Sequence, residues 1–122
     1  MNTVRKQHNF KELNIWKRVR AFVTFVYEMT RPFPKEELFC LTQQMRRCAV
    51  SVSSNIAEGC GRGTDPQLVH FLDVAYGSAC ELETQLYLAF DLKYISEQAL
   101  SDALKEINEI QKMISGFRST LI

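Results

Sequence analysis

The chain has 122 residues, 46% apolar and 24% charged, with a formal net charge of +1. That describes one domain able to bury a core without staples, and the near-neutral balance argues against a dedicated high-affinity DNA-binding protein. Five glycines and three prolines exclude a mosaic of short strands and turns and favour long elements.

Residues 1–12 are polar, carry Arg5, Lys6, His8 and Lys11, and read as an N-terminal arm on a domain of residues 13–122. Ile15, Val19, Phe22, Val26 and Met29 recur at steps of four and three, which predicts a helix over Asn14–Met29. Lys17, Arg18 and Arg20 lie off that stripe and face water or a partner. Prolines 32 and 34 stop the helix.

A second helix is predicted from Lys35, with Glu36 and Glu37 complementing its positive end. Leu38, Leu41, Met45, Cys48, Val52, Asn55 and Gly59 keep the helical rhythm. Residues 49–53 (AVSVS) alternate like a strand. They sit inside a long helical stripe with no turn residue on either side, so helix is the reading. Glu58–Gly63 (EGCGRG) ends it, with glycine expected in a left-handed cap.

The third helix has Asp65 as its expected N-cap and Pro66 in its first turn. Leu68, Leu72, Ala75, Ala79, Leu82, Leu86 and Ala89 form its seam. The small residues Ala75, Gly77, Ser78 and Ala79 invite close approach by residues 49–57. A fourth helix starts near Ser96 and carries Leu100, Ala103, Ile107, Ile110, Ile114, Phe117 and Leu121, fraying at Ser115–Gly116. Four amphipathic helices with short connections predict an all-α fold, an up-down-up-down antiparallel four-helix bundle with left-handed packing.

No chemistry of a known catalytic kind is visible. Neither His8 nor His70 has a glutamate three residues before it, so a di-metal carboxylate centre lacks its ligands. Cys40, Cys48, Cys60 and Cys80 form no C-x-x-C pair and read as small buried thiols in a reducing cytoplasm. His70 and Asp73 lie one turn apart, the spacing of a surface hydrogen bond. No enzyme activity, metal or cofactor is expected. The first residues hold no apolar run of the signal-peptide kind, and no apolar run reaches the ~18 residues of a membrane span.

The densest polar chemistry lies in Arg46–Gly61 (RRCAVSVSSNIAEGCG) and Arg62. Arg46, Asn55, Glu58 and Arg62 read either as an ion-pair network that sets register or assembly, or as a ligand or RNA contact through Arg46, Arg47 and Arg62. Asn55 falls on the core seam, where a polar side chain specifies register. Glu58 sits near a helix C-terminus and needs a cation such as Arg62. Charge is also uneven: residues 1–60 hold ten Lys/Arg against five Asp/Glu, and residues 61–122 hold five against nine. The two halves are either solvated faces or a basic face for a nucleic-acid backbone, with Lys17, Arg18 and Arg20 on it.

The run RRCAVSVSSNIAEGCGR over 46–62 resembles the signature of the 23S ribosomal RNA intervening-sequence proteins, roughly R-R-A-A-x-S-I-P-S-N-I-A-E-G-x-x-R. Further matches are Leu13 with Ile15 and Trp16, Val26–Tyr27 with Phe33, Pro34 and Glu37, Phe71–Leu72, and Gly77–Ser78 with Glu81–Leu86 (ELETQL). The resemblance spans about residues 10–117. It implies a small bacterial four-helix bundle that assembles with itself into a ring, commonly a homopentamer, with no enzymatic activity. A similar accessory protein of diversity-generating retroelements works with a reverse transcriptase and nucleic acid. RNA or a ribonucleoprotein is therefore an expected partner, a protein-only scaffold the alternative. Asn55, Glu58, Gly59, Glu81 and Glu83 are then assembly candidates. Ser53 stands where the family usually has proline, which implies a straighter second helix.

Overall fold

The computed structural model describes residues 8–122, and residues 1–7 of the expected arm lie outside the described residues. Four long helices carry the fold: α1 (Asn14–Thr30), α2 (Gln43–Cys60), α3 (Asp65–Asp91) and α4 (Glu97–Ser119). No strand occurs among the described residues, so 49–53 is helical despite its alternation. Ala49 and Val52 pack on the buried seam while Val50 faces out, and helical packing overrides local preference.

Helix α2 packs most extensively on α3, α3 on α4 and α1 on α2, and α1 closes against α4. The shared core takes Val19, Phe22 and Val26 from α1 and Met45, Val52 and Ile56 from α2. From α3 and α4 it takes Leu68, Leu82, Leu86, Ile107, Ile110 and Ile114, all buried. At ~25 cal/mol per Å² of apolar area removed from water, this core is the dominant stabilising term. The described part of the arm packs down: Phe10 meets Trp16 edge-on at 5.0 Å, and His8 meets Phe117 at 5.3 Å.

Four details depart from expectation. The second helix does not run unbroken from Lys35. A 3-10 turn (Lys35–Glu37) comes first, and the segment Leu38–Thr42 is kinked at Cys40, whose backbone angles are not helical. The Tyr94 hydroxyl donates to Glu37 at 2.7 Å and so ties this entry to the α3–α4 loop. Past the break α2 is continuous through Ser53, whose hydroxyl bonds back to the Val50 carbonyl.

Gly61 closes α2 in a right-handed conformation, because its N–H reaches the carbonyls of Ala57 and Glu58 directly. The left-handed cap is instead Lys93 after α3, at φ 67°. Thr64, not Asp65, caps α3, its hydroxyl accepting from the Gln67 N–H. Finally, α4 continues through Ser115–Gly116 to Ser119, because buried Ile114 and half-buried Phe117 hold its last turns on the core.

Candidate functional site

The two ends of the Arg46–Arg62 stretch are different structures. Sixteen residues of helix put them about 24 Å apart, so Arg46 and Arg62 cannot belong to one cluster. At the first end, Arg46 folds over the end of α1. Its Nε donates to the Thr30 hydroxyl at 2.9 Å, and its guanidinium lies 4.7 Å from the Tyr27 ring centroid. A cation is favourable there because it faces the negative end of α1. Thr30 is buried and passes the bond on to the Val26 carbonyl at 2.8 Å.

The helix break displays Leu38 and Phe39 beside this arginine, and Phe39 is 80% exposed. Tyr27, Leu38, Phe39, Gln43, Arg46 and Arg47 enclose an open cleft of about 350 Å³. A smaller cavity of about 100 Å³ adjoins it through Leu38 and Arg46. Its other walls are Thr30, Arg31, Phe33, Pro34, Lys35 and Thr42. No carboxylate lines either space.

At the second end, Glu58 and Arg62 pair at 2.7 Å across one helical turn, as the residue types predict. Arg62 also stacks 4.8 Å from the Phe71 ring centroid. Gly59 makes this joint possible. A Cβ there would lie 2.7 Å from Leu68 Cδ1 and 3.0 Å from Phe71 Cβ, inside normal contact. The family-like glycine is thus a close-approach residue between α2 and α3.

Asn55 is not on the core seam; Ile56 takes that place. The Asn55 amide donates to the Ser51 carbonyl at 2.8 Å and hydroxyl at 3.0 Å, and Ser51 reaches Ser78 of α3 at 2.8 Å. Asn55 therefore acts along its own helix and meets α3 only through Ser51. Ala75 and Ala79 are buried as expected, whereas Gly77 faces open space.

The remaining candidates scatter. Arg18 forms a two-pronged pair with Glu106 of α4 at 2.7 and 3.1 Å, which holds its pKa up. Arg20 leans on Trp16 at 5.7 Å. Lys17 and Arg47 are exposed, and neither forms an ion pair among the described residues. Glu83 accepts from Asn108 at 3.1 Å and Gln111 at 2.9 Å, a polar clasp between α3 and α4. Glu81 is exposed and lies beside Cys48. That thiol is pushed up to about 11, first by burial and then by its hydrogen bond to Glu81. Gln85, buried, donates to the same sulfur at 3.5 Å.

Of the four cysteines, Cys48 and Cys60 are buried as expected, but Cys40 and Cys80 are exposed. Cys40 sits on the helix break, and Cys80 comes directly after seam residue Ala79 and so points off the seam. Asp73 pairs with Arg118 at 2.6 Å rather than serving His70, whose ring packs edge-on against Phe71. Among the described residues, no three His, Cys, Asp or Glu side chains cluster as a metal site, and no helix is long and apolar enough to cross a membrane.

The comparisons with known proteins decide the family. Residues 11–116 match the 23S rRNA-intervening sequence protein family. The chain belongs to that family. A solved protein of unknown function from the S23 ribosomal protein family of Bacteroides thetaiotaomicron superposes with a TM-score of 0.80. The two are 20% identical, and the match covers 86% of this chain and 95% of that one, a likeness in fold. No curated protein matches. In this 23S rRNA-intervening sequence protein, the Arg46 end carries an open cleft and the Arg62 end a closed joint. Sequence reasoning missed Tyr27, Thr30, Phe39 and Thr42 as companions of Arg46. The prolines at 32 and 34 were the available signal, since they fold this segment back beside the end of α1.

Proposed function

We propose that this 23S rRNA-intervening sequence protein is a non-enzymatic, ring-forming cytoplasmic protein that binds RNA or a ribonucleoprotein. The observation that carries this reading is the Arg46–Arg47 end of α2, where two arginines border a cleft with no carboxylate in its walls. Most other arginines are answered within the chain: Arg18, Arg31, Arg62 and Arg118 each face a carboxylate within 2.8 Å. Exposed Lys17, which forms no ion pair among the described residues, lies near the other end of α1, about 20 Å from Thr30. A phosphate backbone would be drawn to the Arg46–Arg47 end and less to the paired surface.

Filter binding to structured RNA tests it. Affinity is expected at low salt, falling on a log–log plot with a slope of roughly −0.7 to −0.9 per phosphate contact. Binding no stronger than that of a neutral control protein would end the reading.

The alternative is a scaffold whose partner is another protein. Val74, Gly77, Glu81, Thr84 and Leu88 recur at steps of three and four on α3, and all are exposed. Helix α3 thus carries a second, outward stripe with apolar members, the kind of surface that meets a partner. The same stripe is the proposed contact between subunits of a homopentameric ring. A monomer in light scattering would count against both the ring and the scaffold.

A further inference from the structure

The small cavity at the head of α2 has an unusual inventory. Arg31, Lys35 and Arg46 line it, and no carboxylate does, although Arg31 is also held by Glu28 at 2.8 Å. Thr42 lines it too. That side chain is 3% exposed, and its hydroxyl is buried without a hydrogen-bond partner. A buried hydroxyl left unmade is costly, and native structures rarely keep one without a reason. Three cations line the same cavity as this threonine, an inventory that suits a phosphate: the cations supply charge, and the unanswered hydroxyl beneath the wall supplies a donor to an occupant that reaches it.

The neighbouring cleft supplies what a phosphate site alone would lack. Arg46 borders both spaces, and Phe39 and Tyr27 share the walls of the cleft with it. Phe39 is 80% exposed, a large apolar ring left mostly in water. A flat, sequence-tolerant partner for an exposed ring beside arginines is a nucleobase. The volume of about 350 Å³ leaves room for a base next to a phosphate seated in the cavity of about 100 Å³.

We infer that the head of α2 is a subsite for one unpaired nucleotide of single-stranded RNA, its phosphate held by Thr42, Arg31, Lys35 and Arg46 and its base stacked on Phe39. The inference rests on the RNA-binding reading above and sharpens it. A basic surface alone draws any polyanion, whereas this subsite requires a base that is free to leave its helix. Duplex RNA, with its bases stacked inside, offers Phe39 nothing.

Fluorescence anisotropy separates the possibilities, using a labelled short oligouridylate and a labelled RNA duplex with the same number of phosphates. The wild-type chain is expected to prefer the single strand. Phe39→Ala should weaken the oligouridylate by about fivefold or more, the lower end of what one stacked base supplies. Thr42→Val should weaken it roughly threefold. Both losses should be absent with the duplex, and Lys105→Gln, a charge change on α4, should leave the preference for the single strand unchanged. Uridine monophosphate should displace the oligonucleotide at lower concentration than inorganic phosphate.

If both RNAs bind equally and neither variant matters, the subsite is overturned while the electrostatic reading stands. If neither RNA binds at low salt, both fall. Inorganic phosphate competing as well as the mononucleotide overturns the role of the base. Should Thr42→Val fail to fold, Phe39→Ala decides alone, since an 80% exposed side chain is not needed for the core.

Discussion

The two ends of α2 use the same ingredients, arginine, an aromatic ring and a neighbouring helix end, and reach opposite results. At the Gly59–Arg62 end α2 and α3 approach until a Cβ on Gly59 would crowd Leu68 and Phe71, and Glu58 answers Arg62. At the Arg46 end a helix break opens a cleft, Arg46 leans on the end of α1 while still lining that cleft, and Arg47 and Phe39 are left facing outward. The difference lies in the neighbours that each arginine meets in space. A glycine lets α3 seal one end, and at the other the kink at Cys40 leaves Leu38 and Phe39 lining an open cleft. Polar side chains that cluster in sequence therefore need not share a task. A helix of eighteen residues separates its termini by more than any side chain can reach.

The contrast breaks most visibly at Gly59. Gly59→Val places side-chain atoms against Leu68 and Phe71, and unfolding should become easier by about 3 kcal/mol, read as a lower midpoint in urea. Gly59→Ala should cost less, because a gain in helix propensity of ~1 kcal/mol offsets part of the clash. An unchanged midpoint in the valine variant would mean that the joint is not closed.

At the other end, Arg46→Ala removes a hydrogen bond to Thr30, a cation over Tyr27 and a charge at the end of α1. The expected loss is about 1–2 kcal/mol. Arg46→Lys should not restore it, since an ammonium cannot donate to Thr30 and lie flat over the ring together. Recovery in the lysine variant would reduce Arg46 to a point charge.

Thiol chemistry reads the same contrast without mutation. Cys40 is exposed on the helix break, and Cys60 is buried in the joint. An aromatic disulfide reagent at pH ~8 should modify Cys40 quickly and Cys60 only on unfolding. Cys48 should also resist. Its folded pKa of about 11 exceeds the ordinary thiol value, so the folded state is favoured below pH ~8.5 and that contribution is lost as pH rises through 11. Equal rates at Cys40 and Cys60 would contradict the distinction between open and closed ends.

Much of the fold was legible because periodicity records which side faces a core. Val19, Val52, Leu82 and Ile110 were placed by spacing alone and are buried. What spacing could not record was a break inside the pattern. The chain kinks at Cys40, whose backbone angles are not helical, so Leu38 leaves the seam and Phe39 faces out. Asn55 was misplaced for another reason: after Val52 a step of three reaches Asn55 and a step of four reaches Ile56, and the structure buries Ile56. Of the candidate site, the Glu58–Arg62 pair was readable because it is local, at four residues' separation. The partners of Arg46 come from α1, sixteen residues back, and only tertiary structure supplies them.

The smallest effect sharpens the comparison most, because it separates stability from assembly. Glu58 and Arg62 pair in the open, at 52% and 42% side-chain exposure, so Glu58→Ala should change unfolding by no more than about 0.5 kcal/mol. Asn55→Ala should be similarly mild, since its amide bonds only within α2 and half in solvent. Asn55 reaches α3 through Ser51 and Ser78, and Glu58 pairs with the Arg62 that stacks on Phe71 of α3, so both variants also probe whether this side of the bundle meets another subunit. If these residues serve assembly, the variants should keep their melting temperature and yet show a lower mass in light scattering. A mass unchanged in both would make the closed end a joint within one subunit and move any contact between subunits elsewhere.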